Sequence, residues 1–237
     1  MSDVLLSIRD LNTFYGRIPM LLDVSLDIQR GQVCSVLGAN GAGKSTLVKA
    51  ILNMVKAEAK EMTFDGQDIR LWPTHKRIEH GIQVASSATG TFPKMSVETN
   101  LRLGAHTIQD KQLLQEQLEA IYQSFPVLKQ RLQQKAGTLS GGERTMLAIA
   151  RAVINKPSLL IMDEPSLGLS PIMVEEVFRI VDRLNHEEHI TILLVEQNAA
   201  MSLEISHFAY VIQKGKIAFG SEASELLNSE YMDTPMM

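Results

Sequence analysis

The chain has 237 residues, 45% of them hydrophobic and 21% charged, with 23 basic residues against 27 acidic ones. That length suits one large domain with a substantial core and excludes general disorder. A net charge of -4 excludes the broad basic field that holds nucleic acid nonspecifically.

A single cysteine, Cys34, rules out an internal disulfide and a cysteine-based zinc cluster. The start, MSDVLLSIRD, lacks the basic residues and long apolar stretch of a secretion signal. No apolar run approaches about 18 residues, so the chain is not expected to span a bilayer by itself.

Residues 4–9 (VLLSIR) and 24–28 (VSLDI) read as strands, with a turn-like YGRIP between them. VCSVL, 33–37, is a short apolar run entering a glycine-rich loop, and STLVKAILNMV then carries apolar residues at helical spacing. EMTFDGQDI predicts a strand and a turn at Asp65-Gly66, and IQVA, 82–85, another strand. From about 97 to 155 the texture is helical. Ser96 caps a short helix through 103, DKQLLQEQLEAIYQSF (110–125) is amphipathic and ends before Pro126, and a further helix runs from about Gly141 to Asn155. SLLIMDE (158–164) and ITILLVE (190–196) read as buried strands, separated by a helix with Pro171 at its start. AYVIQKGKIAFG reads as a hairpin across Lys214-Gly215, followed by a last helix over 221–228. Such alternation implies a mostly parallel sheet with helices on both faces.

GANGAGKST, 38–46, carries the strongest signal. It fits G-x-x-x-x-G-K-[ST] at Gly38, Gly43, Lys44 and Ser45, in the required strand–loop–helix setting. Glycines let the backbone turn its amides toward a concave centre, and a helix N-terminus adds unpaired N–H groups. Lys44 can reach β- and γ-phosphates, and Ser45 can place a hydroxyl on Mg²⁺. LLIMDE supplies the partner acids. Asp163 ends an apolar strand where it can hold Mg²⁺ through water, and Glu164 points toward the leading edge of the phosphates, where it can orient or deprotonate a water. NKPS, 155–158, lacks the aspartate of a guanine-reading motif, which argues against guanine specificity.

With LSGGE (139–143), these blocks resemble the ATP-binding subunit of ABC transporters, over nearly the whole chain. AGTLSGGERTMLAIARA (136–152), DEPSLGLSP (163–171) and TILLVEQNA (191–199) sharpen the resemblance to the shorter ATPase of branched-chain amino acid importers. ATPases for urea or short amides are similar, which leaves the substrate class open.

The resemblance implies an α/β P-loop core with a mostly parallel sheet, an N-terminal antiparallel β region and an inserted helical subdomain, about 97–155, within one ATPase domain over 1–237. It implies Mg-ATP on Gly38, Ala39, Asn40, Gly41, Ala42, Gly43, Lys44, Ser45 and Thr46. Tyr15 would stack on adenine, and Gln197 would stand in for the family's switch histidine as a non-titrating sensor. Ser140, Gly141 and Gly142 form an amide-rich nest that would cap the γ-phosphate held by a second ATPase subunit, head to tail. Other implied partners are two transmembrane permease subunits and, indirectly, an extracytoplasmic binding protein, placing the chain on the cytoplasmic face of the membrane. No nucleic-acid partner is expected. The stretch 83–103 is the expected groove for a short permease helix. Ser87 departs from the usual Gln or Glu, which opens a reading as a non-hydrolysing, nucleotide-gated scaffold. Arg144 and Arg151, seven apart, are expected to face phosphate, a partner or solvent.

Overall fold

The computed structural model describes residues 3–86 and 90–228. Ser87 and Ala88, at the departure noted above, lie outside the described residues. The chain opens with a long antiparallel pair, β1 (Val4–Tyr15) and β2 (Ile18–Gln29). Both strands outrun the stretches 4–9 and 24–28. The cause is a pair of irregularities: Asp10 and Asp23 sit at φ 53° and 52°, with register shifts on either side of Leu11. These bulges break the period-2 pattern without ending the ladder. Asn12 closes the gap, its amide donating to Asp23 Oδ1 at 3.3 Å and its Oδ1 accepting from Asp23 N at 3.1 Å.

After β3 (Val33–Leu37) and α1 (Lys44–Ile51) come β4 (Ala57–Glu58), β5 (Glu61–Phe64) and β6 (Gln67–Asp68). β5 pairs antiparallel with β1, so the N-terminal sheet runs β2-β1-β5-β6, with β4 also on β1. The turn at Asp65-Gly66 forms with φ 50° and 71°. Next are α2 (Thr74–Glu79), β7 (Ile82–Ser86), α3 (Val97–Gly104), α4 (Lys111–Ser124), α5 (Pro126–Lys129) and α6 (Gly141–Val153). Ser96 caps α3 by accepting from Thr99 N, and Asp110 caps α4 by accepting from Gln112 N and Leu113 N. The last elements are β8 (Leu159–Asp163), α7 (Pro171–His186), β9 (Thr191–Glu196), α8 (Ala199–Ile205), β10 (Phe208–Gln213), β11 (Lys216–Glu222) and α9 (Ala223–Leu227).

The main sheet runs β11-β10-β3-β9-β8-β7, parallel throughout except for the β10–β11 hairpin. Its central strands are apolar on both sides because both sides are covered. Leu159 and Ile161 of β8, with Leu193 and Val195 of β9, join α1 and the N-terminal sheet in one cluster. Leu160 and Met162, with Ile192 and Leu194, join α3, α4, α6 and α7 in another. The α3–α6 helices therefore share their core with a face of the main sheet. Among the described residues, no helix is long and apolar enough to cross a membrane.

α2 and α5 have no counterpart among the sequence-predicted elements. They hold six and four residues, too few to show a helical period, and neither has a side-chain cap.

Candidate active site

Strands β3, β8 and β9 run parallel, so their C-terminal ends open on the same edge of the sheet, the place where ligands bind in open α/β folds. Three segments converge there: the glycine-rich loop after β3, Asp163 and Glu164 at the end of β8, and the turn after β9.

The loop needs its glycines for stated reasons. A Cβ on Gly38 would lie 2.5 Å from the Ile212 carbonyl of β10. At Gly43 the backbone has φ 113°, and a Cβ would lie 2.8 Å from Leu21 Cδ2. The β10–β11 turn also braces the loop: Gly215 N donates to Ala42 O at 2.9 Å, and Leu22 N of β2 donates to Gly215 O at 2.8 Å. The phosphate loop, the first hairpin and the last hairpin thus form one seam.

Lys44 opens α1 and is 3% exposed. Its Nζ donates to Gly38 O at 2.8 Å and Ala39 O at 3.2 Å, and pairs with Glu164 Oε1 at 3.0 Å. Ser45 donates to Asp163 Oδ1 at 3.1 Å. Burial lifts the Asp163 carboxyl above its ordinary value, against the Ser45 hydrogen bond, and the neighbouring Glu164 charge adds to the lift. Glu164 takes φ 48°, rare for a residue with a side chain, and its N–H is held by Val195 O at 2.8 Å. The resulting cavity of 190 Å³ is lined by Asn40, Gly41, Gly43, Lys44, Ser45, Thr46 and Glu164, with Met20 of β2. It is smaller than the about 300–1,000 Å³ of pockets that enclose a drug-sized ligand. It suits a phosphate tail and leaves a base outside.

Magnesium fits this donor set. A hydroxyl and a carboxylate, both hard oxygen ligands, already meet at 3.1 Å. Among the described residues there is no cluster of three or more His, Cys, Asp or Glu that could hold a metal alone. Any cation here would share its ligands with phosphate and water, as Mg²⁺ does.

The remaining expected residues lie around this centre. Tyr15 stands half-exposed where β1 turns into β2, beside exposed Phe14 and Ile18. Gln197 follows β9 with its side chain exposed and its N–H donating to Glu196 Oε2 at 3.0 Å. The nest before α6 is built as a capping box. Ser140 Oγ accepts from Glu143 N at 3.3 Å, and Ser140 N donates to Glu143 Oε2 at 2.8 Å. The Ser140 amide is therefore committed to the cap. The donors left for an anion are the Gly141 and Gly142 amides and the Ser140 hydroxyl. Arg131 pairs with Glu143 at 2.8 Å and holds this cap to the α5 region.

Arg144 and Arg151 are both half-buried and donate to backbone carbonyls. Arg144 donates to Leu139 O at 2.7 Å. Arg151 donates to Asn100 O at 3.1 Å and to Gly90 O, and lies over the Phe92 ring at 4.9 Å. Burial pushes its guanidinium below the usual arginine range. Seven-residue spacing puts both on one helix face, and that face is half-buried. Gln83, Ser86, Gly90, Leu103 and Arg151 border a groove of 250 Å³ between β7, α3 and α6.

Two buried polar residues close to the site and its groove, Asn100 and Glu196, carry no sequence motif of their own. Asn100, fully buried, accepts from Phe92 N at 2.7 Å and donates to Phe92 O at 3.0 Å and Ser96 O at 2.9 Å. It shapes the turn beside that groove. Glu196, 2% exposed, was read only as the end of a strand.

The ABC transporter family model matches residues 21–167. The high-affinity branched-chain amino acid transport ATP-binding protein BraG of Pseudomonas aeruginosa is 39% identical over 225 residues, covering 95% of this chain and 96% of that protein. The probable branched-chain amino acid transport ATP-binding protein LivF of Archaeoglobus fulgidus is 40% identical over 220 residues, covering 93% of each. Among solved structures, an ATP-binding cassette of an ABC transporter in its ADP conformation superposes with a TM-score of 0.86 at 25% identity, covering 98% of this chain and 96% of that one.

Proposed function

Because the chain belongs to the ABC transporter family of ATP-binding subunits, we propose that it is the motor of an importer for branched-chain amino acids. Binding and hydrolysis of ATP are the family's activity. The substrate class is supported by the two named relatives, both branched-chain amino acid transport ATP-binding proteins by name.

One observation carries the chemistry. Lys44 Nζ bridges the loop carbonyls and Glu164 Oε1 at 3.0 Å, while Ser45 and Asp163 meet beside it. Phosphate oxygens compete with those carbonyls and with Glu164 for the ammonium. Once phosphate takes the ammonium, Glu164 is released to orient a water for in-line attack. Ser45 and Asp163 are the residues that would hold Mg²⁺, which supplies charge neutralisation at the β- and γ-oxygens. Gln197 would contact the γ-phosphate or the water through its side-chain amide. Tyr15 would stack on adenine outside the phosphate cavity.

A head-to-tail second ATPase subunit would present its Ser140–Gly142 nest to the γ-phosphate. The groove at Gln83, Leu103 and Arg151 would accept a short helix from one permease subunit at the cytoplasmic face, in a complex with two such subunits. An extracytoplasmic binding protein would deliver the substrate. The whole chain would act as one domain, with 97–155 as the helical subdomain that moves with the permease.

The test is co-purification with the membrane partners and measurement of turnover with each candidate substrate. Leucine, isoleucine or valine should stimulate ATP hydrolysis. Glu164→Gln should lower kcat at least about 100-fold, the lower end for losing a general base, with ATP still bound. A parent that binds Mg-ATP and never turns over, even in the assembled complex, would make the chain a nucleotide-gated scaffold.

A further inference from the structure

Glu196 is the last residue of β9 and lies between the two groups assigned to the water. The residue is 2% exposed. Oε1 accepts from Ser166 N at 2.9 Å, and Oε2 accepts from Gln197 N at 3.0 Å. Ser166 lies two residues after Glu164, in the turn that also bonds Leu167 N to Glu164 O at 3.2 Å. Gln197 begins the opposite turn, which Asn198 continues by capping α8. The backbone alone links these turns once, through Glu164 N and Val195 O at 2.8 Å.

A carboxylate has two acceptor oxygens and no donor. It is the side chain that can receive two converging N–H groups from different segments, and charge strengthens both bonds. Burying that charge is unfavourable unless its hydrogen bonds are well made. Its placement here is therefore hard to explain as packing alone, since an apolar residue would fill the space without that penalty.

We infer that Glu196 is a positioning residue for the hydrolytic step. It fixes the turn carrying Glu164 to the turn carrying Gln197, so that carboxylate and amide face the same water. This rests on the motor reading above, and it adds a residue that touches neither nucleotide nor water. Because the Glu196 carboxylate bonds Ser166 N and Gln197 N and neither Lys44 nor the phosphate loop, Glu196 governs turnover and leaves nucleotide affinity nearly untouched.

The experiment uses the full chain in its transport complex, with Glu196→Gln and Glu196→Asp. Glutamine keeps the volume but sets an NH₂ against one of the two N–H donors. Aspartate keeps the charge and shortens the reach. The expected result for Glu196→Gln is a kcat at least 10-fold lower, with KM and the Kd for Mg-ATP within threefold of the parent. In a Glu164→Gln background, Glu196→Gln should cause no further loss, because the two act on one water. The inference is overturned if folded Glu196→Gln keeps kcat within twofold, if Kd weakens as much as kcat falls, or if the loss recurs in full in the Glu164→Gln background. It is also overturned if neither variant folds, since Glu196 would then be a scaffold element. A parent without turnover removes the motor reading and this inference together. A normal parent with a normal variant removes only the role of Glu196.

Discussion

Lys44 shows how one side chain can hold a site ready for an anion. Its ammonium is buried against two carbonyls and a carboxylate, all of which a phosphate can replace. Lys44→Ala removes charge-assisted hydrogen bonds of about 1.5–3 kcal/mol, so the Kd for Mg-ATP should weaken by about 10- to 150-fold in equilibrium titration. Cys34 offers a different probe. Burial pushes its thiol up to about 12, and the nucleophile is the thiolate. The folded chain at pH 8 should resist alkylation, while denaturant should expose one reactive thiol per chain. Labelling thus reads unfolding directly, and rapid labelling of the native chain would contradict the packing of β3. Lys44, Ser45, Asp163 and Glu164 were legible in the sequence because phosphate chemistry demands those residue types at those spacings. Asn100 and Glu196 were not, because a polar residue in a string does not disclose that both its ends will be buried.

At the scale of elements, α1 is fastened at both ends. Gly38 and Gly43 set its entry, as described. At its exit Arg77, from α2, donates to Ala50 O at 3.2 Å and Ile51 O at 2.5 Å, and also reaches Ile69 O at 2.7 Å. A cation at a helix C-terminus satisfies carbonyls that have no partner within the helix. Burial drags the Arg77 guanidinium down to about 10. Arg77→Ala would leave several buried carbonyls unpaired and open a cavity, a loss of about 3–5 kcal/mol. For a chain of this size that lowers Tm by about 10 °C in a thermal melt. Gly38→Ala drives a methyl into the Ile212 carbonyl and should abolish Mg-ATP binding even where the fold survives. The amphipathic pattern exposed α4, while Ser96 and Pro171 located the starts of α3 and α7. α2 stayed hidden because its importance lies in one long-range side chain, which no period records.

For the whole molecule, the nest before α6 and the phosphate loop belong to different parts of one chain, and the proposed motor joins them across two. Glu164→Gln with ATP should double the mass in size-exclusion chromatography with light scattering. Adding Gly141→Asp places a carboxylate at the nest, where a Cβ meets only Leu169 Cδ2 at 3.4 Å. That double variant should bind ATP and remain single, because like charges oppose the approach of the γ-phosphate. The parallel sheet was legible from its apolar runs, which require cover on both faces. The seam between phosphate loop and last hairpin was not, because it consists of backbone bonds from Gly215 to Ala42 and Leu22. Every recognisable motif ends before residue 200, yet the bracing of the loop comes from Ile212 and Gly215. A chain cut short just before Phe208 would therefore keep all the signatures a reader would search for and still leave the cradle without its back wall.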